Sequence, residues 1–227
     1  MFNIIFVLGN IFLWALGIVI SIKQLNTIPA AISVSIITLI SITAWWISSF
    51  GIICIWTENV WELNLKGDRV FYNKKSKFIT VAGNITQLFT TLLSDGTIKE
   101  EYANIDGIPS KLLQSQPPGK FLQVWQTPLK PLSLHTREVG ATHINAFIKE
   151  NEWALLEVDY LAITNTISVF FPRERPPKTY SGEMRIGGHK SEYKILDNPK
   201  TDGARILSVK TPYFCRPGTE FFIYWSW

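Results

Sequence analysis

Two long runs without a charged residue constrain this chain more than any other feature. Phe2–Ile22 contains no Asp, Glu, Lys or Arg in 21 positions, and Gln24–Thr57 contains none in 34. An α-helix rises about 1.5 Å per residue, so about 20 apolar residues cross the hydrocarbon core of a bilayer. The sequence therefore predicts a membrane protein with a two-helix transmembrane hairpin at residues 1–57, with spans at about 2–22 and 30–56.

The residues that flank the spans indicate that the first span is not a cleaved signal peptide, and they predict the orientation of the hairpin in the membrane. No basic residue precedes Phe2 and no small-residue cleavage pattern follows, which argues against a signal peptide. The link between the spans carries only Lys23, whereas several basic residues follow the second span: Lys66, Arg69, Lys74, Lys75 and Lys77. Because basic residues favour the cytosolic side, we expect a multi-pass inner-membrane protein with both termini in the cytosol.

Small and polar residues in the spans are candidates for helix contacts. Small residues let transmembrane helices approach closely, and an amide in hydrocarbon needs a hydrogen-bonding partner. The residues that fit these roles are Gly9, Asn10, Gly17, Ser35 and Thr38. They predict either contacts within one hairpin or a homo-oligomer in the lipid bilayer, and the pattern does not separate the two.

Downstream of the spans, residues 58–227 predict a mostly-β cytosolic domain, barrel or sandwich-like, with one or two short helices. Short β-branched and aromatic segments alternate with turn residues, including an Asp-Gly hairpin signal between Ile85–Leu93 and Ile98–Tyr102. The helices are expected at Pro109–Gln114 and Thr142–Asn151. The proline-rich stretch 116–131 suits a long loop within one domain better than a linker between two.

Basic residues concentrate in the last quarter of the chain. The whole net charge of +4 belongs to residues 173–227, which hold ten basic and six acidic residues. Arginine and lysine beside a stiff proline loop and a Gly-Gly turn favour binding of an anion. The predicted ligand-binding residues are Arg173, Arg175, Lys178, Arg185, His189 and Lys190. A solvated face, or one attracted to anionic lipid, accounts for the same residues.

Catalytic motifs are not recognisable in the sequence. The histidines lack the spacing of a zinc site, and Cys215 beside Arg216 lacks a second element of a thiol active site. Cys54 falls in the predicted second span. We therefore expect no enzyme activity, no metal and no cofactor, and no binding of long nucleic acid.

Two functions fit this layout. Two spans followed by a strand-rich domain resemble the membrane effectors of bacterial antiviral signalling in the CBASS and type III CRISPR pathways. That resemblance covers element order only, and implies a domain that senses a cyclic oligonucleotide and an oligomerising hairpin that disrupts the inner membrane. The alternative is a membrane-anchored interaction module, such as an exclusion or immunity factor or an accessory subunit of a membrane complex.

Overall fold

The computed structural model describes residues 39–40, 51–81, 85–92, 96–115 and 119–227. The chain forms two units, Met1–Gly51 and Ile52–Trp227. In the first unit, Leu39 and Ile40 are helical. The predicted transmembrane contact residues (Gly9, Asn10, Gly17, Ser35 and Thr38) lie outside the described residues. Across the described part of the chain, no helix is long and apolar enough to span a bilayer.

The second unit is built from strands, which confirms the predicted β-rich domain. The strands are β1 Ile52–Leu63, β2 Arg69–Thr80, β3 Ile85–Thr91, β4 Thr97–Ile105, β5 Ile108–Pro109, β6 Lys111–Gln114, β7 Lys120–Leu129, β8 Leu134–Ile144, β9 Asn151–Glu157, β10 Leu161–Phe171, β11 Thr179–Ile186, β12 His189–Tyr193, β13 Leu196–Pro199, β14 Arg205–Lys210 and β15 Glu220–Ser226.

The strands form three sheets around one core. The largest sheet has eight strands in the order β13-β14-β10-β1-β2-β8-β4-β5, and two smaller sheets have the orders β12-β11-β15-β9 and β3-β7-β6. At its centre β1 pairs in parallel with β10, while the other strand pairs are antiparallel. A single hydrophobic cluster, which includes Val70, Ile167, Phe171, Phe221 and Ile223, joins the inner faces of the sheets.

Alternation along each strand explains which face is buried. On β2 the residues at positions 70, 72, 74, 76, 78 and 80 are buried, and those between them are partly or fully exposed. Successive side chains of a strand point to opposite faces, so this period of two buries one face against the smaller sheets. Three of these inward residues, Lys74, Ser76 and Thr80, are polar, and the first two contribute to the interior cavity described below.

The strand registers give the domain two ends, which organise its surface. We call the end where β1 begins, at Ile52, the proximal end, and the opposite end the distal end. The β7–β8 turn, the β4–β5 turn, the β11–β12 hairpin turn and residues 211–219 lie at the proximal end. The β1–β2 turn, the 172–178 loop and residues 145–150 lie at the distal end.

The structure corrects three predictions about local structure near the span and the helices. Residues 52–56 begin β1 and do not continue the predicted second span, so Cys54 lies in the β-rich domain. The predicted helix Thr142–Asn151 is wrong, because it consists of the end of β8, a bend and the first residue of β9. The predicted helix Pro109–Gln114 is also wrong, because these residues contribute to β5 and β6.

The bend after β8 has a clear physical cause. Asn145 and Phe147 adopt left-handed backbone conformations, with φ of 57° and 53°, which an α-helix does not accept. The Phe147 ring is buried edge-on against Trp61, with ring centroids 5.5 Å apart. The next residue, Ile148, is exposed. Core packing of one aromatic side chain therefore overrides the helical pattern.

The predicted pairing of β3 with β4 is also wrong. β3 pairs with β7 in the three-stranded sheet, and β4 pairs with β8 in the eight-stranded sheet. The Asp-Gly signal thus connects two sheets and does not close a hairpin. Most of the proline-rich stretch 116–131, predicted as a long loop, is the strand β7.

Candidate functional site

The six predicted cationic residues do not form one site. Arg173, Arg175 and Lys178 lie at the distal end, and Arg185, His189 and Lys190 lie near the proximal hairpin turn. The eight residues of β11 separate the two groups, which corresponds to roughly 23–27 Å along an extended strand. A ligand the size of a nucleotide cannot contact both groups at once.

Most of the proximal group is already engaged inside the domain. Arg185 donates from Nε to Glu183 and from Nη2 to the Tyr224 hydroxyl at 2.6 Å, and its guanidinium lies 4.0 Å from the Phe222 ring centroid. The Lys190 ammonium is 3.9 Å from the same Glu183 carboxylate. Hydrogen bonding to Arg185 lowers the pKa of Glu183, so the carboxylate stays charged and compensates these cations.

In the distal group, the Arg175 side chain is held by contacts within the domain. Its guanidinium lies 3.5 Å from the Trp227 ring centroid, and Nη1 donates to the carbonyl of Lys66. Desolvation lowers its pKa. Arg173 and Lys178 are exposed, and neither forms an ion pair within the described residues. Of the six predicted ligand-binding residues, Arg173 and Lys178 are therefore the two at the distal end whose charges are exposed to solvent and unpaired among the described residues.

A surface groove with a volume of about 560 Å³ lies towards the distal end of the four-stranded sheet. We call it the aromatic groove; it is lined by Asn151, Glu152, Trp153, Thr179, Tyr180, Ser181, Tyr224, Trp225 and Ser226. Trp153 is 38% exposed, although its residue type is usually well covered. A half-exposed Trp between hydroxyl and amide groups is typical of a binding surface.

Cross-strand pairing builds this groove. Trp153 lies opposite Tyr224, and Ser181 lies opposite Tyr224 on its other side, so the three side chains share the outer face. The Thr179 and Ser226 hydroxyls are 2.7 Å apart at the distal rim. Phe222 stacks on Tyr224 at 5.6 Å and packs edge-on against Trp153, which fixes the aromatic row. The lining contains no Lys, Arg or His, so it does not favour an anion by itself.

Charged side chains also lie inside the domain. Lys74 Nζ donates to Asp159 Oδ2 at 2.6 Å, and both side chains are almost fully buried. Arg137 is 4% exposed, and its Nε donates to Gln123 Oε1 at 2.5 Å. Burial raises the pKa of the nearby Cys54 thiol, whose Sγ lies 3.0 Å from the Thr57 hydroxyl. The thiol therefore stays protonated and is a poor nucleophile.

These groups surround a small cavity of about 20 Å³. Its polar lining residues are Cys54, Thr57, Lys74, Ser76, Arg137, Glu157, Asp159, Tyr160 and Asn165. A volume of this size holds about one water molecule or a small ion. We call it the interior cavity.

A serine, a histidine and an aspartate form a hydrogen-bonded chain at the proximal end. His135 Nδ1 is 2.7 Å from Asp106 Oδ2, and His135 Nε2 is 2.7 Å from Ser133 Oγ. The other Asp106 oxygen accepts from the Thr136 backbone N–H at 2.7 Å. Hydrogen bonds from His135 and Thr136 outweigh desolvation and lower the pKa of Asp106. Ser133 Oγ also donates to the carbonyl of Lys130.

The sequence reasoning missed this chain of three residues. Ser133 directly precedes β8 and His135 is the second residue of that strand, a spacing of two that is visible in the sequence. Asp106 comes from the β4–β5 turn, and only the pairing of β4 with β8 brings it to His135. The other buried histidine, His143, has its pKa lowered to about 4 by burial, so it is neutral near pH 7.

Comparison with known proteins is informative about the fold only. No family model matches this chain, and no curated protein matches it. A crystal structure from Legionella pneumophila, described as a candidate nutrient-binding protein, is similar with a TM-score of 0.50 and 9% identity, over 77% of this chain and 67% of that one. A candidate protease from Parabacteroides distasonis gives 0.49 and 12% identity, over 78% of this chain and only 40% of that one.

Proposed function

We propose that this protein is a membrane-anchored interaction module. Its proximal end contacts the lipid surface, and its distal aromatic groove faces the cytosol and binds a polypeptide partner. The observation that carries this proposal is the set of large apolar side chains exposed on turns at the proximal end. The uncharged run that predicts a membrane span continues into β1, which begins at this same end.

The exposed apolar residues come from separate turns. Ile108 in the β4–β5 region is 69% exposed, Leu132 in the β7–β8 turn is 80% exposed, and Phe214 after β14 is 67% exposed. Leu132 and Phe214 have positive φ angles of 52° and 60°, which cost energy for large side chains. Turns that hold apolar side chains outward at such a cost are expected where those side chains leave water.

Basic residues at the same end suit an anionic lipid surface. Lys130 and Arg216 are exposed, and each lies on or beside one of the proximal turns. Juxtamembrane basic residues are attracted to the anionic cytosolic leaflet by about 1 kcal/mol each. Apolar side chains on the turns suit the acyl-chain region of the membrane interface, and the neighbouring basic residues suit the lipid headgroups.

The aromatic groove supports the second part of the proposal. Tyr and Trp are enriched at the centres of protein interfaces, because they bury a large area while keeping a polar group available. Trp153 and Tyr224 are held by Phe222, so little side-chain freedom is lost on binding. The groove is far from the proximal turns, so it stays open when those turns contact lipid.

Fluorescent labelling in lipid nanodiscs tests the placement. We expect an environment-sensitive fluorophore on Leu132→Cys or Phe214→Cys of the full chain to report an apolar surrounding and to be quenched by spin-labelled lipid. The same label on Leu65→Cys, exposed at the distal end, and on Ser181→Cys in the aromatic groove should report water. Both native cysteines are buried, so labelling is directed to the introduced thiol. Equal signals at all four positions would contradict the proposal.

The same arrangement, with the proximal end at the membrane and the aromatic groove in the cytosol, also suits a ligand-sensing membrane effector. Arg173 and Lys178 are its remaining exposed cations, and Lys178 directly precedes the groove residue Thr179. A groove label that responds to a cyclic oligonucleotide in the nanodisc experiment, and loses the response with Arg173→Ala, would favour the effector over the interaction module.

A second candidate function is acyl hydrolysis, favoured by the Ser133–His135–Asp106 chain. For this reaction the Ser133 hydroxyl must first turn its proton from the Lys130 carbonyl to His135 Nε2; Ser133 Oγ then attacks an ester carbonyl while this proton passes to Nε2. The proton then goes to the departing alcohol, and water hydrolyses the acyl-serine by the reverse route. Asp106, held by Thr136, orients the ring and stabilises the imidazolium.

Labelling with a fluorophosphonate tests the second candidate. We expect covalent labelling of the full chain at Ser133, which Ser133→Ala abolishes and His135→Gln reduces by at least about 100-fold, the usual effect of losing a general base. Ser191→Ala, a change to an exposed serine on β12, should leave labelling unchanged. Absence of labelling in the folded wild-type chain would exclude a reactive serine and leave the three residues a structural role.

A further inference from the structure

Arg137 is a buried cation whose described partners carry no negative charge. It lies on the inward face of β8 and is 4% exposed. Its Nε donates to the neutral amide of Gln123, and Nη2 is buried without a hydrogen-bond partner among the described residues. Arginine does not lose its proton in proteins, so it cannot escape this position by becoming neutral.

The neighbouring carboxylates are engaged by other cations. Asp159 accepts the ammonium of Lys74 at 2.6 Å. Glu157 accepts from Lys120 Nζ at 2.8 Å and from the Thr91 hydroxyl at 2.8 Å. Lys74 is thus paired with Asp159 and the partly exposed Lys120 with Glu157, which leaves Arg137 as the cavity-lining cation without a carboxylate partner among the described residues. A buried charge without a partner costs several kcal/mol.

Three side chains of the cavity wall carry hydrogen-bond donors that have no described acceptor. Lys74 uses one of its three N–H groups on Asp159, and Arg137 Nη2 has no acceptor. The Tyr160 hydroxyl accepts from the Phe89 backbone N–H at 2.8 Å, which leaves its own proton to donate. A wall of this kind is complementary to a species that only accepts.

We propose that the interior cavity binds a small monovalent anion, chloride under cellular conditions, between Arg137 and Lys74. The cavity is too small for phosphate, a carboxylate-bearing metabolite or a nucleotide. A single halide ion is only slightly larger than a water molecule, and it supplies a negative charge beside the unpaired guanidinium of Arg137, which water cannot. The anion connects β2 and β8 of the large sheet to the 158–160 segment that precedes β10.

Thermal unfolding in different salts tests the proposal. We measure the Tm of the full chain in detergent while chloride or bromide replaces gluconate at constant ionic strength. We expect the Tm to rise by about 3–6 °C and to saturate in the millimolar range, as for a ligand that binds only the folded state. A Tm that is the same in chloride and gluconate, or that changes linearly without saturation, would overturn the proposal and leave water in the cavity.

Variants localise the effect. Arg137→Gln should abolish the difference between chloride and gluconate, whereas Lys178→Gln, a change to an exposed distal lysine, should preserve it. Because Arg137→Gln can fail to fold, line broadening of ³⁵Cl in NMR spectra of the wild-type chain gives an independent measurement. We expect excess broadening that bromide reverses, and its absence would contradict binding.

Discussion

Replacing Lys74 with methionine is expected to lower the free energy of unfolding by about 3–5 kcal/mol, the usual cost of removing one member of a buried ion pair. The change leaves the Asp159 carboxylate in the interior without its ammonium partner, 2.6 Å away in the native protein. Denaturant titration followed by tryptophan fluorescence measures the loss. Folded domains are commonly stable by only about 5–15 kcal/mol, so this single change removes a large share.

The adjacent residue supplies the control for Lys74. Lys75 points to the outer face, is half exposed, and lies 3.5 Å from Glu138. Exposed ion pairs contribute about 0–1 kcal/mol, so Lys75→Met should change stability little. Similar losses for the two variants would mean that the interior pair is not held as described. A Lys74→Met/Asp159→Leu double variant should recover part of the loss, because it removes the unpaired charge.

Phe171→Ala is expected to lower the free energy of unfolding by about 3–5 kcal/mol, the range found when a large buried aromatic residue is truncated. The Phe171 ring is 1% exposed and packs edge-on against Trp225 and Trp227, with centroids 5.3 Å and 5.7 Å away. The cavity left behind lies between the large sheet and the four-stranded sheet. Chemical denaturation of the full chain in detergent measures the effect.

Phe170 provides the matched comparison, because it precedes Phe171 on β10 and faces the opposite side of the sheet. Its ring is half-buried on the outer face and has the Lys200 ammonium 5.7 Å from its centroid. Phe170→Ala should cost clearly less than Phe171→Ala. If the two changes cost the same, the assignment of inner and outer faces on β10 would be wrong.

Local patterns predicted the strands well because each strand buries one face. The β1–β2 hairpin follows from alternation around Lys66-Gly67-Asp68. The β-branched and aromatic segments Tyr180–Ile186, Arg205–Lys210 and Glu220–Trp225 predict β11, β14 and β15 to within one residue at each end. The same reasoning failed where tertiary contacts decide the backbone. The Phe147 side chain is buried in the core, and residues 145–150 bend to place it there. The hydrophobic periodicity of these residues alone does not predict this bend.

The candidate sites were harder to predict, because they depend on pairing between distant segments. Counting charges along the chain grouped Arg175 with Arg185, but the length of β11 separates them. The interior charges Lys74, Arg137 and Asp159 come from three segments, and nothing in their own neighbourhoods marks them as partners. Trp153 and Tyr224 meet only through the pairing of β9 with β15.

The parallel pair at the centre of the large sheet has a consequence during synthesis. One side of β1 can pair with β2 as soon as that hairpin emerges from the ribosome, but the other side waits for β10, with Ile53 eventually opposite Leu161. At ordinary elongation rates this delay is roughly 5–20 seconds. During that interval the nascent chain carries an open backbone edge beside an apolar segment, a combination prone to misassociation. Shielding of this edge until β10 has been synthesised is therefore expected to raise the yield of correctly folded protein.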